Sequence, residues 1–415
     1  MNDHLIKCFS PAKLNSLTLK NRLIKAGTFE GMSPNGVPDI GLKKFHERIA
    51  QGGIAMTTVG YCAVENDGRL NENMLYMHEG VRSALKNMID HLHTLGTKVS
   101  GQMGYGGGFS KNTQMDRKRP LGPSFGINML GITKGMFFCD AMSKGDIKAL
   151  VKSYQKAAVF MKSVGFDCLE IHFGHGYGLC QFISPKTNKR TDEYGGSIEN
   201  RMRLPLEILE GVRRAVGDSF PIIGKISLTE GVDGGLDYDD AIDIASLLDK
   251  GGIDGIITSG GTSTMNPNIM FRGGNILQPM LKAEKSPLMK LLMRLSGPVI
   301  FKNYPYEEMY FLEHARRIRD VVQCNLIYVG GASNNDSFSR LMQEGFDFIQ
   351  LGRTLLSDPD LPLQAQHNAN YKSRCNHCNE CVATIEHEKG IHCTQFPPQP
   401  PFKVRMAEKE AALIS

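Results

Sequence analysis

Residues 165–171 read GFDCLEI, and this order of glycine, apolar residue, aspartate and short apolar run returns twice: GIDGIIT at residues 252–258 and GFDFIQL at residues 345–351. Each copy follows a stretch with helical spacing of apolar residues, and each ends in a run typical of a buried strand. The copies begin 87 and 93 residues apart (252 − 165 and 345 − 252). Each interval has room for two strand–helix units of roughly 40 residues, so the repeat predicts a βα architecture.

Eight segments have the character of buried strands, with helical patterns between them. They are residues 23–26, 54–59, 98–102, 168–171, 221–227, 255–258, 326–329 and 348–351. No GxGxxG sequence follows any of them, so the sequence does not indicate a Rossmann unit. The count and spacing predict an α/β chain: a (β/α)8 TIM barrel over residues 1–365, with a short cysteine-rich extension over residues 366–415 packed on it.

The composition is that of an ordinary enzyme, with 415 residues, 41% hydrophobic, 22% charged and a formal net charge of +5. Because the basic residues are scattered, we expect neither nucleic acid nor a membrane as a partner. No secretory signal or long apolar run is visible, which favours a cytoplasmic location. In a reducing compartment, ten cysteines suggest metal or redox use rather than structural disulfides.

Two imidazoles and a phenol follow the fourth predicted strand. His172 comes directly after that strand, and His175 and Tyr177 lie on the glycine-rich loop that continues from it. Such groups can hold a carbonyl oxygen and supply a proton, so they are candidate catalytic residues. The structural alternative is two solvated loop histidines and a packed tyrosine.

Glycines follow the seventh and eighth predicted strands, as Gly330-Gly331 and Gly352-Arg353. Backbone N–H groups at glycines can approach a phosphate closely, and an arginine adds a bidentate cation. TIM barrels bind phosphate at these two loops, so we predict a phosphate site there, although simple turns would use the same residues.

Four cysteines stand close together near the C-terminus, with the spacing C-x2-C-x2-C-x11-C. They are Cys375, Cys378, Cys381 and Cys393. Thiolate ligation with short gaps and one distant ligand suits a [4Fe-4S] cluster. Zinc would accept the same four thiolates or recruit His377 or His392, and free thiols are the third alternative.

Residues 168–203, CLEIHFGHGYGLCQFISPKTNKRTDEYGGSIENRMR, closely resemble the Old Yellow Enzyme family of FMN-dependent oxidoreductases. Its members carry His-x-x-His or His-x-x-Asn, a tyrosine two residues later, and a tail like SPxTNxRTDEYGGSxENR. The resemblance covers residues 9 to 362. It implies that the glycine loops bind the phosphate of FMN and that NAD(P)H is the reductant. It also implies that His172 and His175 hold a substrate carbonyl while Tyr177 donates a proton.

The resemblance also implies cofactor contacts on other strands. Gln102 matches a glutamine that hydrogen-bonds the flavin pyrimidine edge, and Lys225 stands where many relatives place an arginine near flavin N1 and O2. Lysine lacks the planar fork of arginine, so the flavin potential is expected to differ.

The first strand departs from the family pattern. Ala26, Gly27 and Thr28 stand where relatives have Pro-Met followed by threonine or cysteine. By count, Phe29 occupies the flavin-tuning position of that threonine or cysteine, although Thr28 could take the role. We therefore expect FMN binding with an altered substrate preference.

The cysteines resemble those of larger relatives such as trimethylamine dehydrogenase and 2,4-dienoyl-CoA reductase, which hold a [4Fe-4S] cluster and continue into a second nucleotide-binding half. Only 22 residues follow Cys393 here (415 − 393), so we expect that half to be absent. Any cluster would then have another protein as its electron partner, or a structural role. The expected activity is NAD(P)H-dependent reduction of an activated C=C bond in an α,β-unsaturated carbonyl compound. The alternatives are a dehydrogenase or demethylase that passes electrons through the cluster, and a non-catalytic electron-transfer subunit. The oligomeric state stays open.

Overall fold

The computed structural model describes residues 1–397 and 399–414. Its strands are β1 (Ala12–Leu14), β2 (Leu17–Leu19), β3 (Leu23–Lys25), β4 (Met56–Ala63), β5 (Lys98–Gly104), β6 (Leu121–Gly122), β7 (Gly126–Ile127), β8 (Phe138–Ala141), β9 (Cys168–His172), β10 (Ile222–Ser227), β11 (Gly255–Ser259), β12 (Asn325–Tyr328) and β13 (Phe348–Leu351). Its α-helices are α1 (Asp3–Phe9), α2 (Ile40–Gln51), α3 (Arg82–Thr94), α4 (Lys144–Val164), α5 (Gly178–Ile183), α6 (Ile198–Val216), α7 (Tyr238–Lys250), α8 (Leu277–Ala283), α9 (Pro287–Ile300), α10 (Leu312–Ala315), α11 (Asn335–Gln343), α12 (Arg353–Ser357), α13 (Leu361–His367) and α14 (Phe402–Ile414).

Eight parallel strands close into a barrel in the order β3, β4, β5, β9, β10, β11, β12 and β13. All eight correspond to the segments predicted from the sequence, and helices separate most of them along the chain. The prediction of a (β/α)8 TIM barrel is therefore confirmed.

The repeated Gly-apolar-Asp junction has a physical explanation in the structure. Its glycines adopt positive φ at the helix ends, 106° at Gly165 and 85° at Gly345, where a side chain would be strained. Each aspartate accepts a backbone N–H from a barrel strand next to the one that it precedes. Asp167 accepts from Val99 at 2.8 Å, Asp254 from Ile222 at 2.7 Å and Asp347 from Leu326 at 2.8 Å. The aspartates thus hold the amino ends of neighbouring strands in register.

Apolar side chains fill the end of the barrel that the β1–β2 hairpin closes. These residues include Leu14, Leu19, Ile24, Met56, Ile223, Ile257, Ile327 and Phe348, all fully buried. Because side chains alternate along a strand, residues two positions further point into the same interior. There the strands carry Glu170, Lys225 and Gln350. The barrel interior therefore changes from apolar to polar toward the carboxyl ends of its strands.

Two regions differ from the sequence-based expectation. The methionine-, glycine- and proline-rich sequence of residues 265–305 predicts an irregular segment, but the structure forms α8 and α9 there. The proline-rich sequence after Cys393 predicts an extended tail, but the chain ends in α14. Pro398 lies outside the described residues. No described helix combines the length and apolar character that crossing a membrane requires.

Candidate active site

His172 is the last residue of β9 and lies at the carboxyl end of the barrel, 3% exposed. Its Nδ1 atom accepts a hydrogen bond from the backbone N–H of Gly174 at 3.3 Å. Because Nδ1 is an acceptor, the ring proton of the neutral imidazole is on Nε2. Burial, and then the neighbouring His175 and Lys225, hold the pKa of His172 well below its usual value. His172 is therefore a neutral Nε2–H donor at physiological pH.

His175 lies on the loop after β9 with a positive φ of 61°. Serines from two neighbouring strands hold it: its backbone N–H donates to Ser227 Oγ at 2.9 Å, and its Nε2 hydrogen-bonds Ser259 Oγ at 2.7 Å. Burial, and then Lys225, lower the pKa of His175 to about 3. The ring centroids of His172 and His175 are 4.9 Å apart, so the structure brings the two predicted imidazoles together as neutral groups.

Tyr177 completes the cluster. Its ring centroid lies 5.1 Å from that of His172 and 5.5 Å from that of Tyr61 on β4. Its hydroxyl accepts a hydrogen bond from Ser263 Oγ at 2.9 Å. Burial raises the pKa of Tyr177, and the hydrogen bond from Ser263 opposes that rise. The phenol is therefore protonated at neutral pH, as a proton donor must be before it reacts.

A buried carboxylate, Glu170, organises the polar layer below this cluster. Glu170 is fully buried and lies 2.8 Å from Lys225 Nζ. It also accepts hydrogen bonds from the side-chain amides of Gln102 at 2.6 Å and Gln350 at 2.7 Å. The predicted residues Gln102 and Lys225 thus meet, but through a carboxylate that the sequence reasoning missed. An acidic residue inside an apolar strand was the available signal, since a charged residue there is rarely unpaired.

Three buried polar groups around the end of the first barrel strand have no hydrogen-bond partner in the described part of the chain: one follows β3, one is on β4 and one is on β13. Thr28 Oγ1, Thr58 Oγ1 and Gln350 Oε1 are buried without a hydrogen-bond partner among the described residues. A Cβ atom on Gly27 would lie 2.9 Å from the Gln102 amide, so glycine permits this close approach. Since buried polar atoms are normally satisfied, these groups fit a planar polar ligand such as a flavin ring. Ala26 is buried beside them, whereas Phe29 packs near Tyr61.

The predicted phosphate loops lie at the ends of the paired strands β12 and β13. Gly330 and Gly331 have positive φ values of 140° and 77°, and Gly352 directly precedes the short helix α12. Arg353 Nη1 donates to the backbone carbonyl of Arg272 at 3.0 Å and to the side chain of Asn379. The arginine therefore stands between the barrel end and the cysteine-rich extension.

The four cysteines line one common cavity. Cys375, Cys378, Cys381 and Cys393 are half-buried around it, together with Arg353 and His377. Burial raises the pKa of Cys381 to about 12, and Arg353 opposes this shift. Among the described residues, no three histidine, cysteine or acidic side chains converge closely enough to hold a single metal ion. The thiols surround the cavity instead of meeting at one point, and the assignment of a metal to them stays a prediction.

A TIM barrel with neutral proton donors and open polar groups at its carboxyl end has the features that a flavin-dependent oxidoreductase uses. Residues 7–267 match the model of the NADH:flavin oxidoreductase / NADH oxidase family. The chain belongs to this family and is an NAD(P)H:flavin oxidoreductase.

Curated relatives extend the match over most of the chain. It is 37% identical over 380 residues to 4,4'-dithiodibutanoate disulfide reductase of Rhodococcus erythropolis, covering 91% of this chain and 92% of that protein. It is 28% identical over 390 residues to a metal reductase of Desulforamulus reducens, covering 93% of this chain but 52% of the relative. The chain thus spans about half the length of the metal reductase. An NADPH dehydrogenase of Bacillus subtilis is 27% identical over 392 residues, covering 92% of this chain and 99% of that enzyme.

Solved structures show the same fold. 2-Naphthoyl-CoA reductase matches with a TM-score of 0.78 at 22% identity, covering 95% of this chain and 57% of that chain. Morphinone reductase matches with a TM-score of 0.67 at 21% identity, covering 90% of this chain and 95% of that chain.

Proposed function

We propose that this chain reduces an activated C=C bond of an α,β-unsaturated carbonyl compound, with NAD(P)H as the electron source. The observation that carries the proposal is the cluster of a neutral imidazole donor, His172, and a protonated phenol, Tyr177, with ring centroids 5.1 Å apart. When bound, FMN supplies the hydride chemistry, accepting hydride from NAD(P)H and delivering it to the substrate β-carbon.

The imidazoles would bind the carbonyl oxygen. His172 offers an Nε2–H, and the depressed pKa values keep His172 and His175 neutral. They would donate hydrogen bonds without losing protons to the substrate. Such fixed donors stabilise the negative charge that develops on oxygen as hydride adds to the β-carbon. Tyr177 would then give its phenolic proton to the α-carbon, and solvent would return a proton to the tyrosinate.

The residues that would hold FMN are those predicted from the sequence. We propose that the backbone at Gly330, Gly331 and Gly352, with Arg353, binds its phosphate. Residues 26–28 and Gln102 would line the ring, and the open hydroxyl of Thr28 supports Thr28 over Phe29 as the flavin-tuning residue. Lys225 would face the flavin ring as part of an ion pair with Glu170, because Glu170, 2.8 Å from Lys225 Nζ, offsets the charge of the lysine.

For the cysteine cavity we propose a [4Fe-4S] cluster held by Cys375, Cys378, Cys381 and Cys393. The support is the all-thiol donor set around one cavity, because a cluster is ligated at its corners instead of at a single point. Such a cluster would supply one-electron transfer, and its partner would be a separate electron-transfer protein. Anaerobically purified protein should contain about four irons and four inorganic sulfides per chain. One bound zinc per chain would contradict the proposal.

A second candidate function is reduction of an organic disulfide. It is favoured by the similarity, over 91% of this chain and 92% of the relative, to a protein named 4,4'-dithiodibutanoate disulfide reductase. Hydride addition would cleave the S–S bond to one thiol and one thiolate. A thiolate is a stable leaving group because thiols have pKa values near 8.5. Reduction of a disulfide therefore depends much less on a proton donor than reduction of an enone does.

Tyr177→Phe separates the two candidates. Flavin reduced with NADH is mixed in a stopped-flow instrument with 2-cyclohexenone or with 4,4'-dithiodibutanoate, and flavin reoxidation is recorded. We expect the variant to slow reoxidation by the enone about 10²–10⁴-fold, the usual contribution of a general acid. Flavin reduction by NADH should be unchanged.

The control is Tyr238→Phe, because Tyr238 stacks on His314 away from the cluster. Wild-type protein that is reoxidised by the disulfide but not by the enone would overturn the primary proposal in favour of the second. An unchanged enone rate in Tyr177→Phe would refute the proton-donor role.

A further inference from the structure

Ser263 is a polar residue at the cluster to which the family pattern gives no role. It lies on the loop after β11, 86 residues from Tyr177 in sequence, and is partly exposed. Its hydroxyl contacts Tyr177 Oη at 2.9 Å, and no other side-chain partner of Ser263 occurs among the described residues. Ser263 therefore has one polar side-chain contact, to the predicted proton donor.

The backbone fixes this contact. The N–H of Ser263 donates to the carbonyl of His175 at 3.0 Å, and Thr262 forms a β-bridge with His175. The loop after β9 and the loop after β11 are thus joined beside the reacting groups. A hydroxyl placed by such backbone contacts keeps its geometry during reaction better than one on a free loop.

We propose that Ser263 is the positioning residue of the proton donor: its hydroxyl donates to Tyr177 Oη, leaves the phenolic proton free for the substrate, and stabilises the tyrosinate formed when that proton leaves. The inference rests on the proposed function and adds a residue to its acid step. A phenol has one proton, so Tyr177 is available to a substrate only when it accepts from Ser263.

The contribution is larger after proton transfer than before it. A hydrogen bond to a charged acceptor is shorter and roughly twice as strong as one between neutral groups. Because tyrosinate is charged and the phenol is neutral, the Ser263 contact favours the product side of the transfer and lowers its barrier. The other titratable groups against the Tyr177 ring are His172 and Tyr61, and burial keeps both of them neutral.

The test uses Ser263→Ala and Ser263→Thr in the flavin-loaded protein. In one experiment 3-fluorotyrosine replaces Tyr177, so that the phenol titrates at a lower pH and fluorine NMR follows its ionisation in the resting protein. We expect Ser263→Ala to raise the titration midpoint by about one pH unit, because losing a charge-assisted hydrogen bond amounts to about tenfold in the equilibrium. Ser263→Thr, which keeps the hydroxyl, should restore the midpoint.

In the second experiment flavin reoxidation by 2-cyclohexenone is measured with natural Tyr177. Ser263→Ala should slow it about tenfold, with flavin reduction by NADH unchanged, and Ser263→Thr should recover most of the rate. Ser296→Ala is the control, because Ser296 is an exposed serine of α9 whose hydroxyl donates to the carbonyl of Leu292 in the same helix.

The outcomes separate this inference from the function on which it rests. An unchanged midpoint in Ser263→Ala overturns the inference, even if the rate falls, because the serine would then be merely structural. If wild-type protein reduces no enone while Ser263→Ala shifts the midpoint, the proposed function fails and the Ser263–Tyr177 pairing stands.

Discussion

The buried Lys225–Glu170 pair gives the sharpest prediction about stability. Both side chains are at most 3% exposed, and Lys225 Nζ lies 2.8 Å from Glu170 Oε1. Lys225→Met would leave a carboxylate without its cation in the middle of the barrel. Breaking a buried pair in this way costs about 3–5 kcal/mol. Because the amides of Gln102 and Gln350 still donate to the carboxylate, we expect the lower end, about 3 kcal/mol of unfolding free energy.

Urea unfolding measures this loss, followed by circular dichroism because the chain contains no tryptophan. Flavin-free protein is the sample, so that loss of cofactor does not add to the effect. The matched control is Lys86→Met, which breaks the exposed pair of Lys86 and Asp90, 58% and 56% exposed. Exposed pairs of this kind contribute little, so the control midpoint should barely move.

The double variant Lys225→Met with Glu170→Gln decides whether charge is the cause. Removing both charges leaves no unpaired ion in the interior, so the double variant should be more stable than Lys225→Met alone. The argument from buried charge is wrong if the double variant loses as much unfolding free energy as Lys225→Met and Glu170→Gln lose together. It is also wrong if Lys225→Met costs no more than Lys86→Met.

The burial of His175, the cysteine cavity and the cap of α4 give three further predictions. The pKa of His175 is about 3 in the folded chain and near 6.5 in the unfolded chain, so the unfolded chain binds its proton first as pH falls. Wild-type protein should therefore lose free energy of unfolding from about pH 6.5 toward pH 3. In urea titrations, His175→Asn should reduce the slope of unfolding free energy against pH by about 1 kcal/mol per pH unit. Cys381→Ser should lower the iron content of anaerobically purified protein, whereas Cys324→Ser, outside the cavity, should not. Ser143→Ala removes the capping box that Ser143 makes with Asp146 at α4 and should cost about 1 kcal/mol in urea unfolding.

The sequence was a good guide to the barrel because its signals are local. The strand after Gly165 could be found because glycine ends a helix by taking positive φ and an apolar run then fills the interior. The reason for the aspartate at the next position could not be found, since Asp167 acts on Val99, 68 residues earlier. The local pattern shows where such a residue is, and only the closed barrel shows what it contacts.

The candidate site divides in the same way. His172, His175 and Tyr177 were identifiable because they lie within six residues of one another after a recognisable strand. Ser259 and Ser263 could not be identified from the sequence. A serine at a strand end is common, and its contacts depend on which loop lies opposite it in the closed barrel. The start of α9 carried local signals that the sequence reasoning missed, Ser286 as the N-cap and Pro287 in the first turn.

The cysteine-rich extension is hydrogen-bonded to the end of the barrel where we propose that FMN binds. The N–H of Ile391 donates to the carbonyl of Glu30 at 2.9 Å, and Glu30 Oε2 in turn accepts the N–H of Gly60 at 3.0 Å. On the other side Asn379 accepts from Arg353, the predicted phosphate ligand. The extension therefore contacts the chain beyond the first barrel strand and the loop after the eighth, which are neighbours in the closed barrel. Hydrogen bonds therefore join the extension to Glu30, two residues beyond the proposed flavin ring wall, and to Arg353 of the proposed phosphate loop.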